Sequence, residues 1–143
     1  MNAARYRSDL TRILDAASAE VAERLRRFAD VATDGIVIDV FVDQDGEGPF
    51  DVWARFDGSD GFVLDRRFDD ERRLFGVEWG EEGWDPDVPA RPREWSRDDL
   101  ETELVELVAI WLSGVIPSHP MLCWELGDPG GTRGPRRLAP GAA

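Results

Sequence analysis

Apolar residues recur every three or four positions along the first part of the chain, from Tyr6 to Ala32. This spacing places them on one face of a helix, so we predict a long amphipathic helix over about residues 3–33. Glu20 and Arg24 stand four positions apart in the acid-first order that stabilises helices. The apolar stripe comprises Tyr6, Leu10, Ile13, Leu14, Ala17, Val21, Leu25, Phe28 and Ala32.

The pattern then changes to the alternation of apolar and polar positions that is typical of half-buried strands. Ile36–Val42 and Phe50–Phe56 each present one wholly apolar face, and Asp45–Gly46 between them has turn chemistry. We therefore predict an antiparallel hairpin whose apolar faces share one side.

One register of this hairpin pairs side chains on its outer, polar face. It places Phe41 opposite Trp53 and Asp39 opposite Arg55, which gives an aromatic pair and a charge pair.

Two further strands are expected to complete the sheet. Phe62–Arg66 follows a glycine-rich turn, and Leu74–Trp79 follows a polar segment at residues 69–73 that has the composition of a turn or a short helical turn. The prolines, glycines and charges between Gly80 and Trp95 predict a long irregular loop.

A second helix is expected to begin after this loop. Ser96 has the chemistry of an N-cap, with Asp99 three residues further on, and Trp95 and Leu100 have the spacing of a hydrophobic staple. Apolar residues at helical spacing then continue to about Gly114.

These elements define an α+β domain over residues 1–126, in the order α-β-β-β-(β)-α. Because only one sheet face is uniformly apolar, we expect both helices to pack on that face of an antiparallel sheet of three to four strands. Met121–Leu126 is expected to add a short element, and residues 127–143 have the composition of a flexible Gly/Pro/Arg tail. The expected core includes Ile38, Val40, Val52, Phe56, Leu104 and Trp111.

The net charge of the chain indicates which kinds of molecule it can bind. The 143 residues carry a formal net charge of −13, and residues 35–95 hold 17 acids against 7 arginines, a net charge of −10. Such a surface repels phosphate backbones and attracts basic proteins, so we expect no nucleic-acid partner.

The single Cys123 permits no internal disulfide, and no apolar run reaches membrane-spanning length, so we expect a cytoplasmic protein with no membrane partner.

Candidate catalytic and metal patterns have simpler explanations. Asp43, Asp45 and Glu47 have the spacing of a calcium loop, but Ala54 stands where that loop needs a bidentate acid, so we favour an acidic hairpin turn. His119 lies near a serine and a cysteine, but the surrounding prolines break any helix that would align them. The element order is similar in topology to double-stranded-RNA-binding domains, which instead use basic residues. We expect no catalytic residue, no metal ligand and no cofactor.

A more specific pattern combines acids with aromatic residues that are expected to be exposed. Aromatic side chains are enriched at interface hot spots, and acids steer a basic partner, so this combination predicts a protein-binding surface. Packing of the tryptophans in the structure is the open alternative. The candidate binding residues are Trp53, Glu78, Trp79, Glu81, Glu82 and Trp84.

The segments Asp43–Val52 and Leu74–Trp79, with the Trp-Leu end of the second helix, resemble a small uncharacterised domain family of GC-rich bacteria. The resemblance covers about Ala3–Val115 and implies no activity and no site residues. In size, acidity and tryptophan content the chain is also similar to immunity proteins of bacterial polymorphic-toxin systems, which bind and block a cognate toxin.

We therefore expect a non-enzymatic, acidic protein-binding module, a monomer or homodimer, with neutralisation of a basic toxin as its most concrete role. Two alternatives stay open. A secretion-chaperone-like protein would be a stable dimer, and an enzyme with an unrecognised site would have a deep polar pocket.

Overall fold

The computed structural model describes residues 2–119, 122–129 and 134–139. Its elements in chain order are α1 (Ala3–Val31), β1 (Gly35–Val42), β2 (Phe50–Asp57), α2 (Gly61–Phe68), a 3₁₀ helix (Asp69–Arg72), β3 (Arg73–Phe75), β4 (Glu78–Gly80), β5 (Gly83–Asp85), α3 (Arg97–Val115), β6 (Cys123–Leu126) and β7 (Arg136–Leu138).

The two long helices form as their sequences predict. The Asn2 side chain caps α1 by accepting the backbone N–H of Arg5 at 2.8 Å. In α3, the Ser96 hydroxyl accepts the Asp99 N–H at 3.1 Å and the Asp99 carboxylate accepts the Ser96 N–H at 2.9 Å, which completes a capping box. Trp111 of α3 donates its indole N–H to the Ser18 hydroxyl of α1 at 2.9 Å, so the helices are joined at their contact.

The main sheet has five strands in the order β3-β2-β1-β6-β7. All its neighbouring pairs are antiparallel except β1 and β6, which are parallel. The expectation of a purely antiparallel sheet of three to four strands was therefore wrong, although the α+β class is confirmed. The parallel pair arises because α3 lies between β1 and β6 in the chain and returns it in the direction of β1.

The apolar face of this sheet and the two long helices share one core. Its members include every core residue expected from the sequence, which are Ile38, Val40, Val52, Phe56, Leu104 and Trp111.

The register of the β1–β2 hairpin differs by two residues from the expected one. Asp39 lies opposite Trp53, and Phe41 lies opposite Asp51. The loop sets this register, because the Asp43 N–H bonds to the Pro49 carbonyl at 3.1 Å and continues the ladder one step beyond the strands. A shift of two residues leaves each side chain on its expected face.

The expected third strand, Phe62–Arg66, was wrong, because this segment lies within helix α2. Leu64 and Phe68 stand four positions apart, which places both on one face of a helix. Phe68 packs there between Phe28 and Phe56, with ring centroids 4.9 and 5.5 Å away. Phe62 and Val63 point outward and are exposed.

Side chains from α2 and the 3₁₀ helix take the place of a strand at the free edge of β2. The Asp65 carboxylate accepts the Phe56 N–H at 2.8 Å, and Arg72 donates to the Ala54 carbonyl at 3.1 Å. These side-chain bonds satisfy backbone groups of β2 that the short strand β3 does not pair with.

The expected fourth strand is divided in two. Arg73–Phe75 pairs with β2, whereas Glu78–Gly80 pairs with Gly83–Asp85 in a separate two-stranded sheet. The segment expected to be an irregular loop after Gly80 therefore contains strand β5. We call β4, β5 and their turn Glu81–Glu82 the tryptophan hairpin.

The expectation of a flexible tail is corrected for Arg136–Leu138. This strand pairs with β6, and Leu138 is buried opposite Trp124. Composition did not reveal this strand because it carries a single apolar residue, Leu138, beside two arginines. The division of the chain at residue 126 stays a prediction.

Candidate functional site

A groove of about 420 Å³ lies between the β1–β2 loop and the tryptophan hairpin. We call it the hairpin groove. Aromatic rings and carboxylates dominate its lining, and its described lining contains no arginine. The aromatic members are Phe41, Phe50, Trp79 and Trp84, and the acidic members are Asp43, Asp51 and Glu78.

The tryptophan hairpin places two indole rings side by side. Trp79 of β4 lies directly opposite Trp84 of β5, and their ring centroids are 6.5 Å apart at an interplanar angle of 62°. Trp79 is 78% exposed, whereas Trp84 is half-buried against the core. Trp84 therefore anchors the hairpin, and Trp79 offers its ring to solvent.

Glycine at position 48 allows Trp84 to approach the β1–β2 loop. A Cβ at Gly48 would lie 2.8 Å from the Pro89 carbonyl oxygen and 3.2 Å from the Trp84 ring. Its φ of 154° is also one that other residues rarely adopt. The packing of Trp84 against the β1–β2 loop thus depends on a glycine at position 48.

Arg73 ties the tryptophan hairpin to the main sheet. Its guanidinium bonds to Asp51 of β2 at 3.1 Å and to the Glu78 carboxylate of β4. These hydrogen bonds, first that to Glu78 and then that to Asp51, raise the pKa of Arg73. Gly76 leaves room for the guanidinium, which a side chain there would meet. Glu78 is therefore part of the support of the groove as well as of its lining.

Arg91 holds the other wall of the groove in place. Its side chain donates to the Gly46 carbonyl at 2.8 Å, and its backbone N–H donates to the Glu47 carbonyl at the same distance. It also bonds to the Trp95 carbonyl. The segment after β5 is thereby fastened across the β1–β2 loop.

Trp53 lies beside the hairpin groove, in an adjoining hollow of about 240 Å³ on the outer face of the sheet. Its indole N–H donates to Asp51 at 3.3 Å, and the Arg72 guanidinium lies 5.6 Å from its ring centroid. Phe41 borders both the hollow and the groove. Trp53 is half-buried, and its ring already contacts the Arg72 cation.

Glu81 and Glu82 form the exposed turn of the tryptophan hairpin and do not line the groove. Neither makes an ion pair within the described residues. Of the six predicted binding residues, the groove brings together Glu78, Trp79 and Trp84.

The sequence reasoning missed the wall formed by the β1–β2 loop. Asp43 of this loop and Phe41, near the adjoining end of β1, contribute to the lining from that side. The outward position of Phe41 in the strand alternation was the available signal, but only the folded position of the hairpin shows that the two walls face each other.

Other candidate chemistry is placed outside this groove. Cys123 is half-buried in β6, with its Sγ 3.7 Å from the Glu125 Oε1. Across residues 2–119, 122–129 and 134–139, the structure places no three His, Cys, Asp or Glu side chains together in a metal-binding group. Among the same residues, no helix is long and apolar enough to cross a membrane.

Fold and groove together define a mixed α+β protein with an acidic, aromatic surface groove. The chain belongs to DUF6389, a family of unknown function, whose sequence model matches residues 1–141. No curated protein and no solved structure matches the chain. Membership of an uncharacterised family is thus confirmed, and the match extends beyond Val115, where the resemblance in the sequence ended.

Proposed function

We propose that this protein is a non-enzymatic, acidic protein-binding module whose hairpin groove receives a basic protein. The observation that carries the proposal is Trp79, a large aromatic side chain that is 78% exposed at a groove lined by three carboxylates. Exposed aromatic residues beside polar groups are typical of binding hot spots.

The two kinds of side chain have separate roles in this proposal. Acids attract a basic partner over a distance and so raise the association rate, in a manner that salt weakens. The ring of Trp79 supplies contact area and slows dissociation. Glu81 and Glu82 supply charge from the exposed turn, next to the groove.

The groove is also held in shape before a partner arrives. Arg73 fastens β4 to β2, and Trp84 packs against the loop at Gly48. A binding surface that is already ordered loses less conformational entropy on association, and this favours recognition by a fixed surface.

The most concrete form of this function is that of an immunity protein, which would bind and neutralise a basic toxin. The net charge of −13 supports this form, because it favours a cationic partner. The same proposal includes a cytoplasmic location and an origin in a bacterium with a GC-rich genome.

A chaperone-like dimer is the second candidate, and one observation favours it. A mainly apolar groove of about 260 Å³ lies between α1 and α3, and Ile110 beside it is 66% exposed. Light scattering tests this candidate, because a dimer through the helices has twice the monomer mass and is lost in Ile110→Glu. An enzyme with an unrecognised site is the remaining alternative.

The test of the proposed function uses the native host. The protein is immobilised, a bound protein is identified and purified, and its binding kinetics are measured at several salt concentrations. We expect a basic partner that associates more slowly, and with weaker salt dependence, when Glu81 and Glu82 are both replaced by Gln.

Two variants sharpen this test. Asp69→Asn with Asp70→Asn removes the same charge from the exposed 3₁₀ helix and is expected to change association much less. Trp79→Ala is expected mainly to speed dissociation, and it disturbs the fold less than a change at the half-buried Trp84. Unchanged kinetics in the glutamine and alanine variants would exclude this surface.

A further inference from the structure

We infer that the hairpin groove recognises an arginine side chain of its partner, an inference that rests on the proposed function and adds the chemical group that is bound. The groove combines aromatic rings with carboxylates in a space of about 420 Å³. A guanidinium group is planar and cationic and donates several hydrogen bonds, so it fits both kinds of lining.

The charge of the groove is only partly balanced from within the protein. Asp51 and Glu78 share the single guanidinium of Arg73. Asp43 is exposed and accepts the Gln44 backbone N–H at 2.9 Å, but it makes no ion pair within the described residues. With Arg73 included, the lining carboxylates leave the groove net negative, which is complementary to an added cation.

No arginine lies over an aromatic ring of the groove in the described part of the chain. Four arginines lie over aromatic rings in the described part of the chain, at 5.4 to 5.9 Å from the ring centroids, and two of these rings are Trp53 and Trp95. The groove rings Trp79, Trp84 and Phe41 are not among them. Trp79 and Phe41 are also exposed, at 78% and 46%.

The protein contains an internal example of the proposed contact. Arg7 donates two hydrogen bonds to Glu103, at 2.9 and 2.5 Å, while its guanidinium carbon lies 5.9 Å from the Trp95 ring centroid. One arginine thus contacts a carboxylate and a tryptophan together. Asp43 and Trp79 offer this same pair of groups at the groove.

Arginine is favoured over lysine for two reasons. The flat guanidinium stacks on an indole ring, whereas an ammonium group makes a point contact. The guanidinium also binds a carboxylate through two parallel hydrogen bonds. A groove that used charge alone would bind both side chains equally well, so the comparison separates specific recognition from attraction.

The experiment measures calorimetric affinities of the full chain, at low salt, for two blocked peptides that differ only in carrying two arginines or two lysines among glycines. We expect the arginine peptide to bind more tightly by up to about two- to fivefold, because a whole cation–π contact at an exposed site is worth that much and a lysine keeps part of it. Trp79→Ala and Asp43→Asn are each expected to remove this preference.

Matched controls test the location. Phe62→Ala removes an aromatic ring that is 73% exposed outside the groove, and Asp45→Asn removes a charge from the same loop as Asp43 without altering the groove lining. Both are expected to keep the arginine preference. Thermal melts of all four variants verify that each is folded.

The outcomes separate this inference from the proposed function. Equal affinity for both peptides, weakened by replacing Glu81 and Glu82 with Gln, would overturn the arginine inference and leave an acidic binding surface. An arginine preference that persists in Trp79→Ala would overturn the location. Absence of binding by either peptide at low salt would overturn the arginine inference, and a partner captured from the host would still support the proposed function.

Discussion

Replacement of Leu138 by alanine tests whether the C-terminal segment is part of the folded domain. Leu138 is buried, packs with the core and lies opposite Trp124 in the β6–β7 pair. The substitution removes three carbon atoms from a buried side chain, which is worth roughly 2.4 kcal/mol at ~0.8 kcal/mol per carbon. Because β7 is an edge strand and can relax, we expect a loss of about 2–3 kcal/mol, near the lower end for such substitutions.

Urea unfolding followed by tryptophan fluorescence measures this loss as a change in the free energy of unfolding. Arg137→Ala on the same strand is the control, since its exposed side chain is expected to change stability by less than ~0.5 kcal/mol. Truncation after Gly127 is expected to cost more than Leu138→Ala, because it also removes the strand pairing and the exposed Arg136–Glu106 ion pair.

The opposite result would refute this reasoning. If both Leu138→Ala and the truncated chain unfolded within ~0.5 kcal/mol of the wild-type protein, the segment would be the loose tail that its composition indicates. A loss in the truncated chain alone would assign the stabilisation to the backbone pairing.

Three further predictions concern the helices. Trp111→Ala is expected to lower the free energy of unfolding, measured by urea unfolding, by about 3–5 kcal/mol. The substitution removes a large buried ring and its hydrogen bond to Ser18. Tyr6→Phe is expected to leave stability at pH 7 unchanged or to raise it by up to about 1 kcal/mol, because the buried hydroxyl has no hydrogen-bond partner within the described residues. Glu103→Gln is expected to destabilise at pH 7, with a difference that disappears in acid when unfolding is measured across pH.

The signs of the two pH effects follow from the pKa shifts. Hydrogen bonding to Arg7 lowers the pKa of Glu103, so its contribution is present above the unfolded value of about 4.3 and is lost as the pH falls through the folded value. Burial, followed by the charge of Glu103, raises the pKa of Tyr6, so the wild-type protein is expected to lose stability above about pH 10. Tyr6→Phe should not show this alkaline loss.

Each of these predictions has a contradicting result. A loss below about 1 kcal/mol in Trp111→Ala would remove the ring from the centre of the core. Destabilisation by Tyr6→Phe would reveal a partner for the hydroxyl. Because the chain has one tyrosine, ultraviolet absorbance reports its ionisation directly, and an ordinary titration would contradict burial of the hydroxyl. A constant Glu103→Gln difference down to acidic pH would show that charge is not its cause.

The parts of the fold that sequence predicted are those with long, regular patterns. The stripe of α1, the capping box at Ser96 and the faces of the β1–β2 hairpin depend on neighbours in the chain. The short segment Phe62–Arg66 failed because five residues with mixed apolar positions fit either a strand or a helix. Packing of Phe68 on Phe28 and Phe56 decided the outcome.

Local sequence patterns could not predict the pairing of strands that lie far apart in the chain. Strand β6 pairs with β1 from the far end of the chain, and β7 pairs with β6. Likewise, the acids and tryptophans of the hairpin were predicted as site residues, but Phe41 and Asp43 were not. Their place opposite the hairpin depends on Arg73 and Arg91, whose side chains bridge separate segments.

The central claim is that the hairpin groove binds a basic ligand, and the indole N–H resonances test it most directly. The chain has six tryptophans, so each can be followed by nitrogen–proton correlation spectra as the arginine peptide is added. We predict shifts at Trp79 and Trp84, and none at the buried Trp111 and Trp124. Binding that leaves the Trp79 and Trp84 resonances in place would contradict the claim.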